Sequence, residues 1–284
     1  MTTQTLHLSV DTRPTVLQRH PVGTFLALTY AASWAIWLPL IVLRDRMAAG
    51  PALLLLVLGS NVPSAVALLL VARLHGRAGV KRLLRRLLPA RVGILVYAAI
   101  FALTALAVAA VWLSTFVGIP APEVAVTVPG LLSIFLFSIF PGSAVGEELG
   151  WRGFALPQLQ RGRSALTAAL GVGAAWGIFH LPLFLVGSEV RPFALFLPFA
   201  ISSMIMSVFY TWMYNRTSGS LFAVVLLHAT TNLPITVVYA PLGEDVVPVF
   251  WVFDALLALA AVVLVAGTGA RTLSRNHRAY TVTP

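Results

Sequence analysis

Three short clusters of polar residues interrupt an otherwise apolar chain: Glu147, Glu148 and Arg152 in GEELGWR, His180 closing AAWGIFH, and His228 with Asn232 in LLHATTN. Carboxylates and imidazoles exchange protons near neutral pH, and an amide N–H can stabilise charge developing on an oxygen. The chain has no cysteine, which excludes a thiolate nucleophile. It has no GxSxG elbow to support a serine one. Activation of water remains, in either of two forms. In the first, Glu147 is the general base, His180 orients the same water, and His228 with Asn232 donates hydrogen bonds to the oxyanion of a tetrahedral intermediate. In the second, Glu147, His180 and His228 hold a Zn²⁺ ion that lowers the pKa of its bound water, a His2Glu set with one open position. Both hydrolyse an amide, and both stand at this stage.

These residues must be positioned by membrane-spanning helices. Of the 284 residues, 59% are hydrophobic and only 10% charged, with a mean hydropathy of +0.91. Soluble domains carry about 25% charged residues. The sequence therefore predicts an all-α, polytopic membrane protein. Eight apolar runs are long enough to span: 22–43, 51–72, 92–117, 129–156, 164–186, 193–213, 219–240 and 247–267. The predicted organisation is an N-terminal tail (1–21), three leading helices (22–128), a core of four helices carrying the clusters (129–240), and an eighth helix with a basic tail (241–284). The first apolar run follows Arg13 and Arg19 without a small-residue cleavage site, and reads as a retained span.

Charge distribution orients the chain. With the N-terminus inside, 16 of the 19 basic residues fall on inner segments, including Arg73, Arg77, Lys81, Arg82, Arg85, Arg86 and Arg91. Only Arg44, Arg46 and Arg191 fall outside. The positive-inside rule places both termini in the cytoplasm. The net charge of +10 is then a topological signal and not a nucleic-acid footprint, and the basic run 73–91 is expected as a loop lying against anionic headgroups or simply setting topology.

An ionisable side chain within the bilayer costs ~2.5–3.5 kcal/mol on insertion scales, so Glu147 and Glu148 need a reason to be there. Helical spacing divides them. Glu148 and Arg152 are i and i+4, one above the other on a single face. Glu147 lies about 100° around the helix, free to face the imidazoles of the fifth and seventh spans. His228 and Asn232 share a face by the same rule, as do Trp176 and His180. Plain alternatives exist: His228 and Asn232 as an interhelical hydrogen-bond clamp, Trp176 as packing, Asp254 as an interfacial carboxylate near the outer end of the eighth span. Counted from helix ends, Glu147 lies about 15 Å deep and His180 deeper. Gly171, Gly173 and Gly177 would let the fifth helix approach a neighbour, and Pro182 would bend it past His180. The expected result is a cytoplasm-facing cavity among helices four to seven.

The clusters resemble the motifs of the CPBP intramembrane proteases, a family that contains type II CAAX prenyl endopeptidases and bacteriocin self-immunity proteins. EELGWR is similar to that family's EExxxR, WGIFH to FxxxH with Trp176 in place of the usual Phe, and HATTN to HxxxN. The order fits, over about 130–235. The resemblance implies that Glu147 is the principal catalytic carboxylate, Glu148 its companion, Arg152 the supporting arginine, His180 the second catalytic position, and His228 with Asn232 the third. It implies an endopeptidase of the bacterial cytoplasmic membrane, with zinc or a glutamate-activated water. Its partners would be the bilayer and a membrane-embedded or lipid-anchored protein substrate, including the prenylated CaaX class. Two other functions fit the same residues: a non-catalytic immunity or scaffold protein of this fold, and a proton-coupled transporter.

Overall fold

The computed structural model describes residues 15–43, 46–89, 92–186 and 192–274. Arg13, Arg44, Arg91, Arg191, Arg275 and Arg278, which enter the count of basic residues, lie outside the described residues. Among the described residues every regular element is helical, as the hydrocarbon demands, since a helix satisfies its own backbone. The principal helices are α1 (Pro21–Val42), α2 (Ala49–Arg85), α3 (Ile94–Thr115), α4 (Val128–Phe137), α5 (Ala144–Gly150), α6 (Ala165–Phe179), α7 (Phe196–Arg216), α8 (Leu221–Pro234) and α9 (Val246–Thr268).

Six helical runs among the described residues are long and apolar enough to cross a membrane, and the bent pair Val128–Gly142 and Ala144–Leu159 makes a seventh if taken as one span. The expected seventh and eighth spans, 219–240 and 247–267, belong to a single helical run, Leu221–Thr268, of 48 residues. At ~1.5 Å per residue this is more than twice the ~30 Å hydrocarbon thickness. The run is interrupted at Gly243, whose φ of 58° leaves the helical region. Both α8 and α9 pack against α3 and α7, which one straight rod could not do, so the chain changes direction around that glycine.

Two further expectations are corrected. The basic run 73–91 is not a loop: α2 carries it as helix to Arg85, after a kink at Gly76 with φ 61°. The fourth span is not one straight helix either. It bends by 42° at its break, where Phe140 adopts an extended conformation and Pro141 cannot supply a helical N–H. The break starts a new helix, α5, three residues before Glu147.

Loops and close contacts then fix the framework. Ser164 and Ser220 cap α6 and α8 by accepting from Thr167 N and Ala223 N at 3.1 and 3.3 Å, satisfying donors that a helix start leaves open. The first N–H groups of α8, on Leu221 and Phe222, donate to Arg86 O. Small residues let backbones meet. A side chain at Gly150 would strike Pro63 O at 2.7 Å, and one at Gly146 would strike Asn61, so α5 lies directly on α2. On α6, a side chain at Gly173 would strike Ser203 O at 2.7 Å and one at Gly177 would press on Ala200 of α7, whereas one at Gly171 would meet nothing. Two of the three glycines expected to permit close approach therefore do so. Pro63, inside α2, frees the carbonyl of Gly59, and Ser33 Oγ of α1 donates to it at 3.0 Å.

Candidate active site

α5 carries the two adjacent glutamates, both buried, and sends them to different partners. Glu148 Oε1 accepts from Arg152 Nη1 at 2.8 Å along the same helix and from His228 Nδ1 of α8, also at 2.8 Å. A carboxylate has no proton to give here, so Nδ1 of His228 carries one and the ring's Nε2 faces away from Glu148. Arg152 is 0% exposed, a charge that must be compensated inside the protein. Beyond Glu148 it donates through Nη2 to Ser207 Oγ at 3.2 Å. Its guanidinium also lies 4.5 Å over the Tyr210 ring and 5.1 Å over the Trp176 ring, both favourable for a cation. Arg152 thus belongs to the site, not to the loop charges that set topology.

Glu147 points the other way. Trp176 Nε1 donates to its Oε2, and its Oε1 stands 3.9 Å from His180 Nε2. His180 caps the C-terminus of α6, ahead of Pro182 in the short helix Leu181–Leu185. Its Nδ1 lies 2.9 Å from Trp176 O. A carbonyl only accepts, so Nδ1 holds the ring proton and the lone pair of neutral His180 sits on Nε2, aimed at Glu147. The end of α6 that carries this pair is held from α1, where Tyr30 OH donates to Ala175 O at 2.7 Å and Trp34 Nε1 to Phe179 O at 3.0 Å.

Asn232, one turn beyond His228, directs Nδ2 to Ser143 Oγ at 3.5 Å, the outer limit of a hydrogen bond. Glu147, Trp176, His180, Tyr210, His228 and Asn232 share one cavity of about 750 Å³. Its remaining wall is mostly apolar and includes Leu56, Phe137, Phe184, Phe199 and Phe250. Helices α2, α3 and α9 contribute to it, so it is broader than a pocket among the four core helices.

The structure brings all six singled-out residues together and alters how they are paired. Glu147 Oε1 approaches His180 Nε2, whereas His228 is joined through Nδ1 to Glu148. Among the described residues no three His, Asp or Glu side chains form a group able to hold a metal ion. Trp176 is more than packing: it donates directly to Glu147, and its ring meets His180 edge-on at 75°, not stacked. Asp254 is buried within the protein. It is 5% exposed and accepts from Ser202 Oγ. Ser207 and Tyr210 of α7 were missed, although Ser203, Ser207 and Tyr210 recur at helical spacing inside an apolar span, a polar stripe visible in ISSMIMSVFYTWMYN.

Residues 127–234 match the family model of the type II CAAX prenyl endopeptidases, described as Rce1-like. The matched stretch begins at the cap of α4 and ends with α8, enclosing every residue of the two glutamate networks. The chain is also similar to CAAX prenyl protease 2 of Methanococcus maripaludis, 31% identical over 113 residues. That alignment covers 37% of this chain and 39% of the relative, so it spans well under half of either protein.

Proposed function

From the match of residues 127–234 to the type II CAAX prenyl endopeptidase family model and the likeness to a CAAX prenyl protease, we propose that the chain is a multi-pass intramembrane endopeptidase of that family. It hydrolyses a peptide bond of a membrane-associated substrate with a water activated between Glu147 and His180. The observation that carries this reading is the approach of Glu147 Oε1 to His180 Nε2, 3.9 Å apart at the wall of an apolar cavity. That separation is too long for a direct hydrogen bond and short enough for one water to touch both groups. Glu147 takes a proton from the water while the Nε2 lone pair of His180 accepts its other hydrogen and fixes its aim. The hydroxide adds to the substrate carbonyl, and protonated Glu147 returns its proton to the departing amine. Trp176 holds the far oxygen of Glu147, leaving Oε1 to do this work.

Negative charge on the carbonyl oxygen is met by Asn232 Nδ2 and by His228. Glu148 and Arg152 support this second role: Arg152 holds the carboxylate, the carboxylate fixes the His228 ring through Nδ1, and the ring donates to the oxyanion when Nε2 also carries a proton. No step here is routed through a metal, because among the described residues no three His, Asp or Glu side chains form a group able to hold one. The apolar wall suits a lipid-modified or strongly apolar peptide, and the relative's printed name makes a prenylated CaaX-type C-terminus the first substrate to try.

The test is cleavage of such a peptide by the purified protein in proteoliposomes. Glu147→Gln and His180→Ala are expected to abolish cleavage while leaving the fold intact, and wild-type activity is expected to survive chelation. Full activity in Glu147→Gln would reject the mechanism. A stoichiometric metal whose removal and return switch activity off and on would replace the water pair with the zinc arrangement. Protection of cells by the Glu147→Gln variant would instead favour a non-catalytic role.

A further inference from the structure

A second cavity, sharing no lining residue with the first, lies between the basic end of α2 and the segment 153–161. It measures about 330 Å³. Arg82, Arg85, Arg86, Arg161 and His75 line it, and among its lining residues there is no Asp or Glu. Arg82, Arg85 and Arg86 are spaced i, i+3 and i+4, which gathers three positive charges on one side of the end of α2. Leu83 and Phe154 close its floor, both nearly fully buried.

Arg86 is fixed at the back of this cleft. Its Nε donates to Gly219 O at 2.8 Å, its Nη1 reaches Gly153 O at 3.4 Å, and its guanidinium lies 5.0 Å over the Tyr214 ring. Arg82 and Arg85 stand on the exposed side, so the charges are arranged in depth and not spread along a surface. Planar guanidinium groups match the oxygens of phosphates and carboxylates two at a time.

We infer that this cleft is a binding site for the phosphate of an anionic lipid headgroup. The choice of a lipid over a soluble phosphate rests on what surrounds the arginines. Val71 lines the cleft where α2 leaves its apolar stretch. Leu83, Phe154 and Pro157 line it beside the arginines. A headgroup seated among the arginines would lay its glycerol and acyl carbons along these apolar groups, which a free phosphate would leave in water. Basic pockets between membrane helices hold headgroups by this combination. The site also has a structural reach. Arg86 joins the end of α2 to the turns that start α8 and follow Arg152, so a bound anion that steadies the arginines steadies the frame of the cavity carrying Glu147.

Full-length protein in nanodiscs supplies the test, independent of any proteolytic activity. Retention of phosphatidylglycerol in a phosphatidylcholine background is measured by native mass spectrometry. Three proteins are compared: wild type, Arg82→Gln/Arg85→Gln, and Arg73→Gln/Arg77→Gln. The last loses the same charge from exposed positions of the same helix outside the cleft. The expected result is selective retention by wild type and by the Arg73/Arg77 variant, with a loss of about tenfold or more in the Arg82/Arg85 variant. Equal losses in both variants would reduce the effect to general surface attraction and overturn the site. Displacement of the lipid by an equal concentration of inorganic phosphate would overturn its assignment to a lipid. If the Arg82/Arg85 variant melts below wild type in pure phosphatidylcholine, Arg85→Lys replaces it, keeping the charge and losing the planar fork. Undiminished retention in Arg85→Lys would then count against the site.

Discussion

The two neighbouring glutamates should fail in different ways when each loses only its charge. Glu148→Gln keeps an acceptor oxygen where Oε1 stands, so Arg152 and His228 can still reach it. What disappears is the counter-charge to a guanidinium that is 0% exposed. Two charge-assisted hydrogen bonds of 2.8 Å meet at that oxygen, each contributing about 1.5–3 kcal/mol. Breaking a buried ion pair from one side costs about 3–5 kcal/mol by the same reasoning. The rings of Tyr210 and Trp176 do not reduce this figure, because they face Arg152 in both proteins. Glu147→Gln leaves no buried cation behind and can still accept from Trp176, so its cost should stay below about 1.5 kcal/mol. Reversible unfolding in mixed detergent micelles measures both. The double variant Glu148→Gln/Arg152→Gln closes the cycle and should recover at least half of the Glu148→Gln loss. Equal stability of the two single variants would falsify the division of labour between the glutamates.

Trp176→Phe removes one N–H and keeps an aromatic ring beside Arg152, so kcat should fall by about 10–100-fold with little change in KM; a wild-type rate would show that the indole N–H does not position Glu147. Asn232→Ala should lower kcat by about 10²–10³-fold if its amide meets the oxyanion, and an effect confined to KM would move Asn232 from catalysis to substrate binding. Gly173→Val forces a side chain against Ser203 O and Met204 Cα of α7 and should cost about 1–3 kcal/mol. Gly171→Val, which meets nothing within 4 Å, should be close to neutral; similar losses at both positions would contradict the packing of α6 on α7.

How far the sequence could be read depended on whether one helix or several decided the answer. The Glu148–Arg152 pair follows from spacing on a single helix, and it is found at 2.8 Å. Which histidine meets which glutamate depends on how α5 is rotated relative to α6 and α8. That rotation is set by Gly146 and Gly150 pressing on Asn61 and Pro63 of α2, a contact no local pattern around the motif reveals. The partner of Asp254 is likewise set by another helix, since Ser202 on α7 donates to it. The basic run after residue 72 looked like a loop because charge usually ends a span, yet Gly76 lets α2 kink and continue as helix.

Helix α1 lends no residue to the wall of the large cavity, and it lies outside the matched stretch 127–234. Even so, Tyr30 and Trp34 satisfy two carbonyls at the end of α6 that carries Trp176 and His180. The recognisable core is therefore not a transplantable module. A chimera that kept every motif residue but borrowed another protein's leading helix would remove the Tyr30 donor that Ala175 O shares with its own helix and the Trp34 donor to Phe179 O at the helix end. Relatives can thus change their first helix only in step with α6, and differences among them at positions 30 and 34 should travel with differences at 175–180.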